Sequence, residues 1–157
     1  MGDRPAVRLA SPSDAEAIGR LLHDFNLEFD QPTPQPGALA ARVRQLMNGG
    51  DTSVLLTEHS DGLVVLRYRQ AIWTEALECW LAELYVEPRR RGQGLGRALV
   101  QAALADAQQR GADRIEVATS EDDVAARTLY EKFGFSKGEG LDTTYFYERG
   151  LDSPIAW

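Results

Sequence analysis

The stretch RRRGQGLGRALV, residues 89–100, decides the fold, and it directly follows LAELYVEP. Three glycines alternate with other residues behind three arginines, and helix-forming residues come next. Glycine lets the backbone approach a ligand closely, and the first amides of a helix have no partner within the helix, so together they can hold an anion. Arginine adds charge-assisted hydrogen bonds to phosphate. The stretch therefore predicts a phosphate- or pyrophosphate-binding turn where a strand gives way to a helix.

Two other glycine motifs do not fit this turn. A Rossmann dinucleotide fingerprint requires G-x-G-x-x-G, whereas Gly92, Gly94 and Gly96 have the spacing G-x-G-x-G. A Walker loop requires Gly-Lys-Ser/Thr, which the stretch lacks. A plain connecting turn is the remaining alternative, but such a turn uses one or two glycines and seldom lies among four arginines. These arginines are Arg89, Arg90, Arg91 and Arg97.

Length and composition bound the class of protein. A chain of 157 residues has the length of one domain, and we expect a single domain over residues 1–157. Acidic residues outnumber basic ones 24 to 17, which gives a formal charge of −7. This balance does not suit nucleic-acid phosphate and mildly favours cationic partners, although many proteins are acidic for solubility alone.

The remaining compositional features concern metals, disulfides and membranes. A single cysteine, Cys79, excludes an internal disulfide and a cysteine-based metal cluster. The two histidines, His23 and His59, lack ligand spacing, so we expect no metal site. No signal-peptide core or membrane-spanning stretch is recognisable, so we expect a cytoplasmic protein that binds neither membrane nor nucleic acid.

Hydrophobic periodicity predicts the element order β-α-α-β-β-β-α-β-α-β-β. Helices are predicted over residues 11–25, 38–47, 95–110 and 125–133, and a loop with three prolines at 30–37. Strands are predicted at 6–10, on both sides of Asp61-Gly62, at 75–86, as a buried strand at 113–119, and as a closing pair at 135–140 and 143–150. The central strand-helix-strand unit requires a parallel pair. The expected fold is α/β (α+β), with a mostly antiparallel sheet of about seven strands, a central parallel pair and about four helices.

Two segments resemble signatures of the GCN5-related N-acetyltransferases (GNAT). LYVEPRRRGQGLGRAL carries the pattern Arg/Gln-x-x-Gly-x-Gly/Ala at Arg91, Gly94 and Gly96. DVAARTLYEKFGF, residues 123–135, matches Asn-x-x-Ala-x-x-Leu-Tyr-x-Lys-x-Gly-Phe, except that Asp123 stands where the family usually has asparagine. The opening VRLASPSDAEAI is also typical of the family. The resemblance spans nearly the whole chain.

The resemblance implies that acetyl-CoA binds in a gap where the sheet splays between its fourth and fifth strands. The pyrophosphate would lie on the amides of residues 92–97, called the glycine turn below, and the pantetheine arm would pair with the preceding strand. Asp123 lacks the amide donor of asparagine, which puts its contact with the cofactor in question. The cofactor-binding residues implied are Leu84, Tyr85, Val86, Arg91, Gly92, Gln93, Gly94, Leu95, Gly96, Arg97, Asp123 and Tyr130.

The reaction implied is transfer of an acetyl group from acetyl-CoA to a primary amine, by direct attack in a ternary complex. Tyr130 matches the family tyrosine that acts as general acid toward the CoA sulfur, although a core aromatic is the alternative. Glu83 and Glu78 are the two candidates for the base. Family members that acetylate polyamines and aminoglycosides often carry a glutamate one residue before Glu83, where this chain has Ala82. Neighbouring strand residues face opposite sides, so Glu83 needs a bulge to share that direction, whereas Glu78 has the parity of Ala82.

The acceptor stays open at this level: a small amine, an amino-sugar, an amino acid or a protein amine. Residues 26–37 and 70–76 are the expected acceptor loops, and Glu28 and Asp30 in the first would suit a cationic acceptor. Trp73 and Trp80 are expected either to wall the acceptor pocket or to pack in the core. A non-catalytic acyl-CoA sensor is the alternative function, and a homodimer is compatible with the sequence.

Overall fold

One five-stranded sheet organises the computed structural model, which describes residues 5–137 and 147–152. Strands follow one another in chain order across the sheet, with β1 to β4 antiparallel and β4 and β5 parallel. The mixed sheet and its parallel β4–β5 pair confirm the predicted fold class, although in the described sheet this pair lies at one edge and not in the centre. The strands are β1 Val7–Leu9, β2 Thr52–Thr57, β3 Gly62–Gln70, β4 Leu77–Val86 and β5 Ala112–Glu116. The helices are α1 Ala15–Glu28, α2 Pro36–Asn48, α3 Leu95–Gln109 and α4 Val124–Lys132.

The count of strands differs from the prediction of about seven. The described residues contain five strands, and residues 135–137 and 147–150 of the predicted closing pair are not strand. The rest of that pair, residues 138–140 and 143–146, lies outside the described residues. None of the helices in the described ranges is long and apolar enough to cross a membrane.

The helices cover the two faces of the sheet and create two cores. On one face, Leu99, Val100 and Ala103 of α3 pack with Leu66 and Leu81 of the sheet, and α4 adds to the same core. On the other face, side chains of α1 and α2 pack on the sheet, among them Ile18, Leu21, Val43, Leu56, Leu63 and Tyr85. The buried residues of these helices recur at three- and four-residue spacing, as in an amphipathic helix: Ala15, Ile18 and Leu21 in α1, and Leu95, Leu99, Ala103 and Ala107 in α3.

A bulge in β4 changes which residues face each core. Val65 pairs with Glu83 and Leu66 with Leu81, so Ala82 is an extra residue on β4. Cys79 and Leu81 belong to the α3 core before the bulge, and Leu84 and Val86 pack on that core after it. Ala82 packs against the α1 core, and Glu83 lies opposite Val65 of that same core. Two consecutive residues thus face α1.

Several element boundaries differ from the predicted ones for local reasons. Helix α1 continues to Glu28, so the predicted acceptor loop at 26–37 shrinks to residues 29–35. Helix α2 begins at Pro36, because proline is well tolerated in the first turn of a helix. The strand predicted at 113–119 was expected to be buried, and this expectation is wrong, because Asp113, Arg114 and Glu116 are exposed. In the described sheet β5 is an edge strand.

Candidate active site

A cleft opens where β4 and β5 part. Their pairing ends at Trp80 and Glu116, and beyond it residues 81–86 and 117–120 line opposite walls. The cleft has a volume of about 520 Å³. Leu129 and Tyr130 of α4, together with Phe25 and Phe29 from the α1 side, also line it. Because β5 does not pair with this part of β4, one edge of β4 offers backbone groups to the cleft at Leu84, Tyr85 and Val86.

The glycine turn lies at the junction of β4 and α3. Gly92 and Gly94 have φ values of 75° and 83°, which favour glycine, and Gly94 is the N-cap of α3 without a side-chain cap. Ala98 is the first helix residue whose amide finds a backbone partner, Gly94 O at 3.0 Å. A side chain added at Gly92 or Gly94 would meet no protein atom within 4 Å. Unpaired amides facing open space fit a pyrophosphate group.

The other residues of the glycine turn hold its shape. The Leu95 side chain is buried and so anchors the start of α3, while Gln93 Nε2 donates to Arg89 O at 3.4 Å. Gly96 itself lines the cleft, where an added Cβ would lie 3.4 Å from Leu129 of α4. A Cβ at this position would therefore be in van der Waals contact with α4.

Three of the four arginines near the turn are already paired with carboxylates. Arg89 binds Glu87 at 3.0 Å, Arg90 binds Asp61 at 2.7 Å, and Arg91 binds Glu28 at 2.6 Å. Arg97 is exposed and has no such pair within the described residues. The expected free cluster of positive charge is thus largely neutralised, and the amides are the main feature that fits an anion.

Asp61 connects the β2–β3 turn to the residues before the glycine turn. Its buried carboxylate accepts from Thr57 Oγ1 at 2.6 Å and from Arg90 Nε at 2.7 Å, and its carbonyl accepts from the Glu87 amide at 2.9 Å. Burial by itself would raise the pKa of Asp61, but the hydrogen bonds from Thr57 and Arg90 outweigh it, so the pKa is lowered. Asp61 therefore stays ionised and fixes the path of the chain into the turn.

Tyr130 lines the cleft from α4, with its ring centroid 5.5 Å from that of Phe135. Burial, with a smaller contribution from Asp123, raises the pKa of Tyr130 to about 12. The hydroxyl is therefore protonated at neutral pH, as a proton donor must be.

Asp123, at the family's usual asparagine position, is the N-cap of α4. Its Oδ1 accepts a hydrogen bond from the Ala126 amide at 3.0 Å. Aspartate is a good capping residue, since its carboxylate satisfies a free amide and complements the helix dipole. Capping of α4 therefore explains why an aspartate suits position 123. Asp123 also lines the cleft, as Tyr130 does.

The structure separates the two candidate bases. Glu83 lines the cleft, has no hydrogen-bond or ion-pair partner within the described residues, and burial raises the pKa of its carboxyl group. Glu78 lies five residues earlier on β4, in another cavity, where it pairs with Arg69 at 2.6 Å. At about 3.3 Å per strand residue, the two acids lie about 16 Å apart. Glu83 therefore shares the cleft with Tyr130, and Glu78 does not.

Two aromatic residues of the cleft were not singled out from the sequence. Phe25 lies at the end of the helix predicted over residues 11–25, and Phe29 follows it at helical spacing, which is the signal that could have identified both. The tryptophans lie elsewhere: Trp73, in the β3–β4 connection, is 91% exposed, and neither it nor Trp80 lines the cleft. That connection joins β4 at the end of the strand farthest from the cleft.

Comparison with known proteins identifies the class that this fold and cleft define. The model of the acetyltransferase (GNAT) family matches residues 53–135, more than half of the chain. A crystal structure of a provisionally assigned acetyltransferase from Arthrobacter sp. FB24 is 38% identical, with a TM-score of 0.87 over 96% of this chain and 99% of that one. The chain therefore belongs to the GNAT acetyltransferase family.

Named relatives differ in the acceptor that their names state. A mycothiol acetyltransferase of Beutenbergia cavernae is 36% identical over 109 residues, which are 66% of this chain and 36% of that protein. The chain thus corresponds to about a third of that relative's length. An aminoglycoside N(6')-acetyltransferase of Stenotrophomonas maltophilia is 28% identical over 86% of this chain and 88% of that protein.

Proposed function

We propose that this chain, as a single domain, transfers an acetyl group from acetyl-CoA to a primary amine. The observation that carries the proposal is the convergence on one cleft of three groups: the edge of β4 beside the glycine turn, the unpaired Glu83 and the protonated Tyr130. These groups match the needs of acyl transfer, which are a held thioester, a deprotonated amine and a proton for the leaving thiolate.

The proposed binding of acetyl-CoA uses mainly backbone groups. The amides of the glycine turn would hold the pyrophosphate, and the free edge of Leu84, Tyr85 and Val86 would pair with the pantetheine arm like an added strand. Arg91 already donates to Val86 O at 3.0 Å, so it would fix the end of that edge. Bound acetyl-CoA supplies the thioester, whose C–S bond breaks as the amine nitrogen forms the new C–N bond in a ternary complex.

The proposed proton transfers use two side chains of the cleft. The Glu83 carboxylate accepts a proton from the acceptor ammonium, directly or through water, and so provides the neutral amine. The Tyr130 hydroxyl donates its proton to the departing sulfur, and the surplus proton of the new amide nitrogen returns to the Tyr130 oxygen, directly or through water, while Glu83 releases its proton to solvent. Burial raises the pKa of both groups, and this suits both roles. A carboxylate with a raised pKa is a stronger base, and a phenol with a raised pKa keeps the proton that it has to donate.

A thiol-release assay over a panel of amines tests this function. We expect CoA release above the background without acceptor for at least one primary amine. Calorimetry would be run on the same sample to measure acetyl-CoA binding. Acetyl-CoA binding without turnover of any amine would instead identify a non-catalytic acyl-CoA sensor.

A further inference from the structure

The α1 side of the cleft is an aromatic wall made of Phe25, Phe29 and Tyr85. Phe25 stacks on Tyr85 with ring centroids 5.2 Å apart, and Phe29 meets Phe25 edge-on at 5.3 Å. All three line the cleft, and Phe29 remains 56% exposed at the end of α1. An exposed aromatic ring that extends a packed aromatic cluster into a cleft offers apolar area for a ligand to cover.

Two acidic residues of α1 beside this wall already have arginine partners. Asp24 lies 3.7 Å from Arg20, and Glu28 lies 2.6 Å from Arg91. Glu83 is the carboxylate on this side of the cleft that has no partner within the described residues. The wall therefore combines a large apolar surface with the unpaired carboxylate of Glu83.

The lining of the cleft has little to offer a second ammonium group. Arg90 and Arg91 line the cleft but are already paired with Asp61 and Glu28, and Asp123, the other carboxylate in the lining, caps α4. A second ammonium group would lose hydration against the aromatic rings without a further unpaired carboxylate among the described lining residues. An acceptor with one ammonium group avoids this cost.

From this wall and its charges we infer the class of acceptor, an inference that rests on the proposed transferase function. The acceptor is a primary monoamine carried on an apolar body of aromatic size. Its ring lies against Phe29 and Phe25, and its ammonium group meets Glu83. Polyamines and amino-sugars, which carry several ammonium groups and little apolar surface, are poor acceptors for this cleft.

Four amines separate this class from the others in steady-state kinetics: 2-phenylethylamine, n-butylamine, spermidine and kanamycin. We expect kcat/KM for 2-phenylethylamine to exceed that for each of the others by about tenfold or more, the range for one well-buried apolar group. A preference for spermidine or kanamycin, or equal values for 2-phenylethylamine and n-butylamine, would overturn the inference.

Two matched variants test the wall itself. Phe29→Ala should raise KM for 2-phenylethylamine about tenfold and change KM for n-butylamine less than about twofold. Leu27→Ala is the control, because Leu27 is 55% exposed on the same helix and does not line the cleft. An unchanged ratio of the two KM values in Phe29→Ala would contradict the inference.

Direct titration of 2-phenylethylamine into the protein with CoA distinguishes failure of the inference from failure of the function. Binding that weakens in Phe29→Ala supports the wall even if no amine is acetylated, in which case the proposed function alone fails. Turnover of spermidine or kanamycin without binding of 2-phenylethylamine leaves the transferase function standing and removes the inference.

Discussion

Arg91 donates a hydrogen bond of 2.6 Å to Glu28, the last residue of α1, and thereby ties the entrance of the glycine turn to the aromatic side of the cleft. The same guanidinium donates to Val86 O at 3.0 Å. One side chain therefore connects β4, the residues before α3 and the end of α1. A pyrophosphate bound at the glycine turn would compete with Glu28 for this guanidinium.

Glu28→Gln should tighten acetyl-CoA binding by up to about fivefold. The change removes a carboxylate that competes for Arg91 and repels the phosphates, and an exposed pair of this kind is worth about 1 kcal/mol or less. Calorimetry at low and high salt would show the gain shrinking as salt screens the charges. Arg91→Ala is the opposing control and should weaken binding. Weaker binding in Glu28→Gln would mean instead that Glu28 orients Arg91 for the cofactor.

Gly94→Ala should weaken acetyl-CoA binding by about tenfold or more, because the added side chain projects into the open space beside the unpaired amides. Its positive φ also makes alanine strained there, at about 1–2 kcal/mol. Gly111→Ala is a matched control, since Gly111 has a φ of 84°, open space around it and a place at the other end of α3. Both variants should lose similar stability in thermal melts, and equal loss of cofactor affinity in both would remove the role of the glycine turn.

Glu83→Gln should lower kcat at saturating amine by about 10²–10⁴-fold, the contribution of a positioned base. Burial raises the pKa of Glu83, so the wild-type rate should fall as acid protonates this carboxylate, and that acidic limb should vanish in the variant. Glu78→Gln, which breaks an exposed pair with Arg69, should change kcat less than about threefold. If the acidic limb of the pH–rate profile disappears in Glu78→Gln and persists in Glu83→Gln, Glu78 is the base and Glu83 is not.

Tyr130→Phe should slow the catalysed step by about 10- to 10³-fold, because it deletes the proton donor and keeps the buried ring. With the pKa of Tyr130 raised to about 12, the wild-type hydroxyl should stay protonated up to about pH 11. The ratio of wild-type to variant kcat should therefore stay constant from pH 7 to about pH 10. Full turnover by a variant with an unchanged Tm would leave Tyr130 as a packing residue.

Asp61→Asn should lower stability by about 1.5–3 kcal/mol at neutral pH, since the buried carboxylate accepts from both Thr57 and Arg90. The folded state lowers the pKa of Asp61, so its charge stabilises the protein above the unfolded pKa of about 3.9. That stabilisation is lost as pH falls through the lower, folded pKa. The free energies of unfolding of the wild type and the variant, measured in denaturant, should become equal in acid. A difference that stays constant across pH would show that the charge of Asp61 contributes nothing to stability.

The parts of the site that depend on nearby residues could be predicted from the sequence. The glycine turn follows from the torsion angles that only glycine accepts easily at Gly92 and Gly94, and the start of α3 follows directly from it. Tyr130 stands on a helix whose spacing is visible in the sequence. These features are local, so neighbouring residues determine them.

The pairing of the arginines could not be predicted, because their partners are distant in the chain. Arg91 meets Glu28 across 63 positions and Arg90 meets Asp61 across 29, so only the tertiary fold brings them together. The burial of β5 was predicted wrongly, because its charged residues among apolar ones fit a strand with one exposed face, and its place at the edge of the described sheet leaves that face uncovered. The aromatic wall likewise needs α1 and β4 to meet.

The extra residue at Ala82 has a consequence for how relatives of this chain are compared. Because Ala82 and Glu83 face the same side of β4, a glutamate at either position reaches the same cleft. An acid can therefore shift by one position along β4 and still face the same cleft. A column-by-column alignment would score this chain as having lost the acid at Ala82, whereas in three dimensions the neighbouring position replaces it.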